Sequence, residues 1–303
     1  MPGPAVRRAV AASALADLVD APERAGTVLS ATAGAIVIRT ETSHAPRCVC
    51  LLAHGLTRLP NSMHTDPADL TDPAPEVPVV VGAGGVRVGN RTFVVVRWWD
   101  CAVRAVQAPP VGLAVLRRAT DFAELGVPRT AVDRLEAALT AAAAQAPTDG
   151  LPDAVDALIG SGVGLTPGGD DVLAGVCVGL HATGRTDLIG RLTIAGPADP
   201  DRRTTSLSAD LLRLAQRGQA CGEVLRVLSA LHAVGREPAR LPGLTSAVQG
   251  LLAVGHSSGA DLATGLLLGL RIGAAHGSAV GSGGPAARSS STPNPDGVAA
   301  VER

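Results

Sequence analysis

The stretch from Ile159 to Leu180 reads IGSGVGLTPGGDDVLAGVCVGL, and the rest of the chain is best interpreted around it. It begins with a turn that contains five glycines, continues with Asp170 and Asp171, and ends in an apolar run. A flexible turn that ends in Asp before an apolar run predicts a helix start, with one aspartate as the N-cap. Free backbone N–H groups at such a start, together with the helix dipole, attract a small anion.

A second copy of this pattern follows at Gly255 to Leu270, GHSSGADLATGLLLGL. Aligned with Leu165 to Leu180, it is identical at five positions: Gly169/Gly259, Asp171/Asp261, Gly175/Gly265, Gly179/Gly269 and Leu180/Leu270. Small residues at every fourth position let two helix backbones approach closely. We therefore predict two glycine-faced helices that pack on each other with their starts close together. Two capped core helices that bind no ligand remain the alternative.

Composition excludes several classes of function. The net charge is −1, so nucleic acid is not an expected partner, and the absence of Tyr removes common base-stacking platforms. No run approaches the ~18 apolar residues of a membrane span, so no membrane partner is expected. The five cysteines have no disulfide-framework spacing, which favours a cytoplasmic location.

The pattern of residues predicts an α+β fold, with a small N-terminal β-rich domain followed by a mostly α-helical domain that contains the two glycine-faced helices. Residues 1–25 are predicted to hold an N-terminal helix, from Val6 to Val19. Residues 26–112 contain short β-branched runs separated by turn residues, which is typical of an all-β domain. Residues 113–276 have helical periodicity and carry the GLTPGGDD motif. Residues 277–303 have the low-complexity composition of a disordered tail.

Known phosphate and metal motifs do not account for the glycine-rich turn. It lacks the Gly-Lys-Ser/Thr ending of a nucleotide phosphate loop, and the sequence contains no lysine. No two histidines have the spacing of a zinc site, so no metal is predicted. What remains is a set of groups suited to anions: the amides of the turn, Thr166, Arg202, Arg203, Thr204, Thr205, Ser208, His256, Ser257 and Ser258. For the arginines, a solvated helix start is the alternative.

Asp170 and Asp171 are the candidate catalytic residues. One of them is enough to cap the helix, so the other needs a separate role, such as a general base or an acceptor for a ligand N–H group. No cofactor is predicted, although a divalent cation held by Asp170 and Asp171 stays open as an alternative.

The motif GxGxGLTPxGDDxLAG, here Gly160 to Gly175, resembles the signature of the AllH-like family. This family, long catalogued as a domain of unknown function, is named for a subunit of bacterial oxamate carbamoyltransferase. Leu59 to Ser62, Thr204 and Thr205 with Ser208, and Ser258 and Gly259 with Asp261 resemble further motifs of the family. The similarity then extends over roughly residues 26 to 275. His256 and Ser257 depart from the pattern before Ser258.

The resemblance implies a cytoplasmic subunit that works with companion enzyme subunits in purine and allantoin catabolism. The reaction moves a carbamoyl group between carbamoyl phosphate and oxamate, with oxalurate as the linked product, so a small anionic substrate with a carboxylate or phosphate is expected. A non-catalytic ligand-binding or scaffold subunit is the alternative. The expected ligand-binding residues are Gly164, Thr166, Gly168, Gly169, Arg203 as a carboxylate clamp, Thr204, Thr205, Ser208, His256, Ser258 and Asp261, with Asn61 and Ser62 as further candidates.

Overall fold

The computed structural model describes residues 5–42, 46–70, 77–146 and 149–276. Its N-terminal part is a closed barrel of eight strands in the order β1-β5-β4-β3-β2-β6-β7-β8. The strands are β1 Ala5–Ala12, β2 Arg24–Thr32, β3 Ala35–Thr40, β4 Cys48–Ala53, β5 Ser62–Thr65, β6 Val79–Gly82, β7 Gly85–Val88 and β8 Arg91–Trp99. Neighbouring strands are antiparallel except for the β1–β8 and β4–β5 pairs, which are parallel. Closure leaves no free sheet edge.

The predicted N-terminal helix is wrong, because residues 5–12 form strand β1 and only Ala16–Val19 are α-helical (α1). Strand β1 closes the barrel by pairing with β8 along its length. Its Ala9 and Ala11 lie on one side of the strand and are buried in the barrel core. Alanine favours helices in isolation, but the hydrogen bonds and burial supplied by the barrel decide the conformation here.

The other strands were largely predictable from β-branched runs. The runs expected within residues 26–112 correspond to β2, β3, β4, β6, β7 and β8, and a turn at Gly89 and Asn90 joins β7 to β8. Strand β5 was missed, because its four residues contain no β-branched run. The barrel core is filled by aliphatic side chains together with Met63 and Phe93.

The C-terminal part of the described chain is helical, as predicted. Its helices are α2 Pro110–Asp121, α3 Arg129–Ala143, α4 Gly150–Asp156, α5 Gly168–Ala182, α6 Thr186–Ala195, α7 Ser206–Gln216, α8 Gly222–Arg236, α9 Leu241–Leu252 and α10 Ser258–His276. Helices α5 and α10 form the centre of one aliphatic core, and the others surround them. The tail predicted for residues 277–303 lies outside the described residues.

The barrel and the helices share a buried polar connection at Asp210 of α7. Its Oδ1 accepts the Arg47 N–H at 2.9 Å, and its Oδ2 accepts the Cys48 N–H at 3.0 Å and Asn61 Nδ2 at 3.4 Å. Leu207, one turn earlier, packs on Cys48 and its neighbours. Because these contacts join the outer face of the barrel to α7, they fix the position of the loop after β4 over the helices.

Within the described residues, none of the helices combines the length and hydropathy that crossing a membrane would require.

Candidate functional site

A cavity of about 310 Å³ lies between the barrel and the start of the α5–α10 helix pair. The loop after β4 covers one side of it, and helices α5, α7, α8 and α10 form the others. The lining residues are Leu52, Leu56, Thr57, Leu59, Pro60, Thr166, Asp171, Ala174, Val178, Leu211, Ala215, Gln219, Ala220, Cys221, Val224, Val254, Gly255, Ser258 and Leu262. Most of this surface is apolar. Among these lining residues, Asp171 is the one that carries a carboxyl group.

The glycine faces of α5 and α10 explain why two helices converge on this cavity. A Cβ at Gly175 would lie 2.3 Å from the Leu262 carbonyl oxygen, and a Cβ at Gly265 would lie 2.0 Å from that of Val172. No side chain fits at either position, because real Cβ contacts are not this short. The predicted packing of the two glycine-faced helices is therefore confirmed.

The two helices are related by a local two-fold pseudosymmetry that follows the ninety-residue repeat. Gly175 meets Leu262 and Leu266, and Gly265 meets the residues ninety positions earlier, Val172 and Val176. The same reciprocity holds one turn later, between Gly179 and Gly269. The helices run in the same direction, so their starts lie side by side, and the Thr166 and Ser258 hydroxyl oxygens are 3.2 Å apart.

Asp171 lies in the first turn of α5, where its carboxyl lines the cavity. The residue is only 6% exposed, and its Oδ2 has no hydrogen-bond partner. Its pKa is raised to about 8, mainly by burial and also by the nearby carboxylates of Asp261 and Asp170, while hydrogen bonds from Ser258 and Thr166 act against the rise. The group is therefore mostly protonated at pH 7.

Asp170, the neighbouring acid, does not line the cavity. Its Oδ1 accepts the Gly160 N–H at 2.8 Å, and its Oδ2 accepts the Ser208 hydroxyl at 2.7 Å and also the Thr204 hydroxyl. These donors join the glycine turn, α5 and the start of α7. Because three hydrogen donors already surround the carboxylate, a positioning role suits Asp170 better than binding a cation or a substrate proton.

The prediction that one of these aspartates caps α5 is wrong. The N-cap position is taken by Pro167, which makes no side-chain cap hydrogen bond, and both aspartates lie inside the first turn. The Pro167 carbonyl accepts the Asp170 and Asp171 N–H groups at 3.0 and 3.2 Å, so the first turn of the helix forms without a capping side chain. The acids are consequently free to point sideways, towards α7 and towards the cavity.

Asp261 of α10 is the pseudosymmetric counterpart of Asp171, and it is completely buried. Its two carboxyl oxygens both accept the Gly126 N–H, at 3.1 and 3.2 Å. Burial raises its pKa, whereas hydrogen bonds from Ser257 and the Gly126 N–H act in the opposite direction. Asp261 also lies so close to Gly168 that a Cβ there would be 2.6 Å from its Oδ2. It supports the helix starts and does not line the cavity.

The amides of the glycine turn are less available to a ligand than the sequence suggested. The Gly169 N–H donates to the Ser161 carbonyl at 2.9 Å, and a Cβ at Gly169 would collide with the Leu158 carbonyl oxygen at 1.9 Å. Gly169 thus permits close packing of the turn on the end of the preceding segment. Gly164 lies at the exposed part of the turn with a φ of +93°, a conformation that favours glycine.

Four of the other predicted site residues support the structure away from the cavity. The Thr205 hydroxyl caps α7 by accepting the Ser208 N–H at 3.0 Å and donates to the Leu165 carbonyl. Arg203 forms an exposed ion pair with Asp156 of α4, so it is not placed to clamp a ligand in the cavity. Asn61 belongs to the Asp210 connection, and the Ser62 hydroxyl donates to the Leu59 carbonyl at 2.7 Å. His256 is exposed and lies outside the lining.

The structure therefore brings together three predicted residues, Thr166, Asp171 and Ser258, at the cavity. Sequence reasoning missed the apolar residues of the loop after β4 and the segment from Gln219 to Cys221. Leu59 and Pro60 belong to the segment that resembles a family motif, but no motif marks the others. The Gln219 side-chain Oε1, like Asp171 Oδ2, is buried without a hydrogen-bond partner. Over the described ranges, no group of three His, Cys, Asp or Glu side chains is arranged to hold a metal ion.

A comparison with known families now bears on this site. The family model for oxamate carbamoyltransferase subunit AllH matches residues 158–270. This range includes the glycine turn, α5, α7 and most of α10, and thus Thr166, Asp171 and Ser258. The resemblance inferred from the glycine motif is therefore confirmed there. The match does not extend into the barrel, although similarity was expected from about residue 26. No solved structure matches the chain significantly.

Proposed function

We propose that this protein is a subunit of a carbamoyltransferase-type enzyme and that the cavity beside Asp171 binds its small substrate. The observation that carries the proposal is the coincidence of the family match with the cavity. The matched range contributes Asp171, Thr166 and Ser258, from α5, the turn before it and the start of α10.

The geometry supports a role for Asp171 in proton exchange. In transfer of a carbamoyl group to oxamate, the oxamate nitrogen forms a bond to the carbamoyl carbon, the bond from that carbon to the phosphate oxygen breaks, and a proton leaves the nitrogen. The ionised form of a carboxyl group with a pKa of about 8, a minority at pH 7, can accept such a proton and return it. Thr166 and Ser258 supply hydroxyl groups beside it. Asp170 would hold the turn and α7 in place.

Companion subunits belong to the proposal, because the matched family is one subunit of an enzyme. A cytoplasmic location is also part of it, supported by five cysteines that are all free and buried. A non-catalytic, ligand-binding subunit is the second candidate. It is favoured by the largely apolar lining and by the position of Arg203, which is paired with Asp156 outside the cavity.

Carbamoyl transfer in the assembled complex tests the proposal. The chain is co-expressed with candidate companion subunits of the same enzyme type, and phosphate release from carbamoyl phosphate is measured with and without oxamate. We expect oxamate-dependent release, and a loss of about 100-fold or more in kcat for Asp171→Asn, as for removal of a general acid or base.

The matched control is Asp187→Asn, which changes an exposed aspartate paired with Arg185 on α6. It should retain the activity of the parent complex. A complex that shows no oxamate-dependent transfer would contradict the enzymatic proposal. Full activity of Asp171→Asn would leave the non-catalytic candidate in its place.

A further inference from the structure

The two pseudosymmetric aspartates differ in what lies against them. Beside Asp261, the backbone of Gly126 delivers its N–H to both carboxyl oxygens, at 3.1 and 3.2 Å. Gly126 also packs on Gly168, since a Cβ at Gly168 would be 3.1 Å from the Gly126 Cα. A peptide N–H group thus occupies the space between the Asp261 carboxyl and the start of the opposite helix.

The equivalent space beside Asp171 is the cavity. Ser258 is the pseudosymmetric counterpart of Gly168, ninety residues later in the chain. The Ser258 hydroxyl hydrogen-bonds Asp171, and Gly168 in turn lies against Asp261. Both Asp171 and Ser258 line the cavity, and no peptide group of the described chain takes the place that Gly126 has at Asp261. Asp171 is nine-tenths buried and retains an oxygen without a partner. The site therefore lacks the N–H donor that its counterpart has.

We propose that the cavity recognises its ligand through the edge of a carbamoyl or carboxamide group, whose N–H meets Asp171 as the Gly126 N–H meets Asp261. This inference rests on the proposed function and names the part of the substrate that enters the cavity. The cavity lining contains no arginine for a carboxylate or phosphate, and most of it is aliphatic. The amide edge is therefore the recognised feature, in place of the anionic end that the sequence suggested.

The protonation state of Asp171 fits this partner. With a pKa of about 8, the carboxyl is neutral at pH 7 and offers one O–H donor and one carbonyl acceptor. An amide edge offers the complementary C=O acceptor and N–H donor, so two parallel hydrogen bonds can form. The titratable groups facing Asp171 are Asp170 on its own helix, Asp261 on α10 and Cys221 at the start of α8.

None of these neighbours opposes the neutral form. The two carboxylates raise the pKa of Asp171, and burial raises the pKa of the Cys221 thiol to about 12, so the thiol stays protonated. The residues of α7 that line the cavity, Leu211 and Ala215, are apolar. The Arg58 side chain, in the loop after β4, packs on Gly222. Above pH 8 the ionised carboxylate loses its O–H donor, and affinity for the amide edge should fall.

Oxamate and pyruvate test this inference with the full chain alone. The two anions differ only in an NH₂ group that replaces a CH₃ group. By calorimetric titration at pH 7, the parent protein should bind oxamate at least ~10-fold more tightly than pyruvate, because one buried hydrogen bond is lost with the methyl group. At pH 9 the affinity for both anions should fall, because the O–H donor to their shared C=O group is lost, while the preference for oxamate remains.

Two substitutions at Asp171 complete the experiment. Asp171→Asn presents the same donor and acceptor pattern without a titrating proton, so it should keep the preference for oxamate, and its affinity for oxamate should be the same at pH 7 and pH 9. Asp171→Leu removes both groups and should bring the two affinities to within about 2-fold of each other. Thermal melting of both variants verifies folding, and Asp171→Asn supplies the test if the Leu variant does not fold.

The inference is overturned if the parent chain binds oxamate no better than pyruvate, including the case in which neither binds, or if a folded Asp171→Leu variant keeps the preference. An affinity for oxamate that falls from pH 7 to pH 9 in Asp171→Asn as much as in the parent would also overturn it. Carbamoyl transfer in the complex is a separate readout. Amide selectivity without transfer would defeat the proposed function alone, and transfer without amide selectivity would defeat this inference alone.

Discussion

The raised pKa of Asp171 has a measurable effect on the folding stability of the protein. In the folded protein its pKa is about 8, compared with an ordinary value of 3.8 for an exposed aspartate. Between these two values the folded state holds a proton that the unfolded chain has released. Stability from this group is therefore fully present below about pH 4 and is lost progressively as the pH rises through about 8.

The size of the effect follows from proton linkage. One bound proton changes the free energy of unfolding by ~1.4 kcal/mol for each pH unit in this window. The Asp171 carboxyl is almost fully protonated at pH 6 and half protonated at pH 8. Integration over these two units gives a loss of about 2 kcal/mol for the parent protein. Asp171→Asn has no proton to release at this position and should lack this loss.

Urea unfolding at pH 6, 7 and 8 measures the difference. Asp210 and Asp261 also have pKa values raised by burial, but they are present in both proteins, so their contributions cancel in the comparison. Asp187→Asn is the control and should follow the pH dependence of the parent protein. Parallel stability curves for the parent and Asp171→Asn would refute the assignment of a buried, neutral carboxyl at this site.

Two further predictions concern the framework of the site. Gly265→Ala should destabilise the protein by at least ~3 kcal/mol in urea unfolding, because its Cβ would lie 2.0 Å from the Val172 carbonyl oxygen, where only backbone movement can relieve the overlap. Gly250→Ala on α9 is its matched control: nothing lies within 4 Å of the added Cβ, so a gain of up to ~1 kcal/mol is expected, and equal losses in both variants would contradict the packing argument. Asp210→Ala should cost about 3 kcal/mol by the same measurement, because the buried N–H groups of Arg47 and Cys48 would lose their acceptor. A loss below ~1 kcal/mol would show that this connection between barrel and helices contributes little.

Local sequence patterns determined much of the helical architecture. The glycines at four-residue spacing in two copies predicted the α5–α10 pair and the proximity of the helix starts, since backbone approach depends on the absence of side chains at those positions. Most strands of the barrel were also predictable, because β-branched runs bounded by turn residues favour extended backbone. The glycine motif identified the family that the comparison confirms for residues 158–270.

The roles of the individual acids depended on the tertiary structure. Asp170 and Asp171 are adjacent and chemically identical, so sequence alone could not separate them. One residue changes direction by about 100° around a helix, which turns Asp170 towards the hydroxyls of α7 and Asp171 towards the cavity. The pKa of Asp171 arises from burial beneath the barrel loop and between the two helices, which no local pattern encodes.

What the sequence by itself determined was thus the helix pair, most of the strands and the position of the glycine turn, because these follow from backbone preferences and from side-chain size within short segments. Only the tertiary structure decided that residues 5–12 close a barrel as strand β1 and that the loop after β4 covers Asp171. Each of these depends on hydrogen bonds or burial supplied by residues distant in the chain, and such long-range contacts override local propensity.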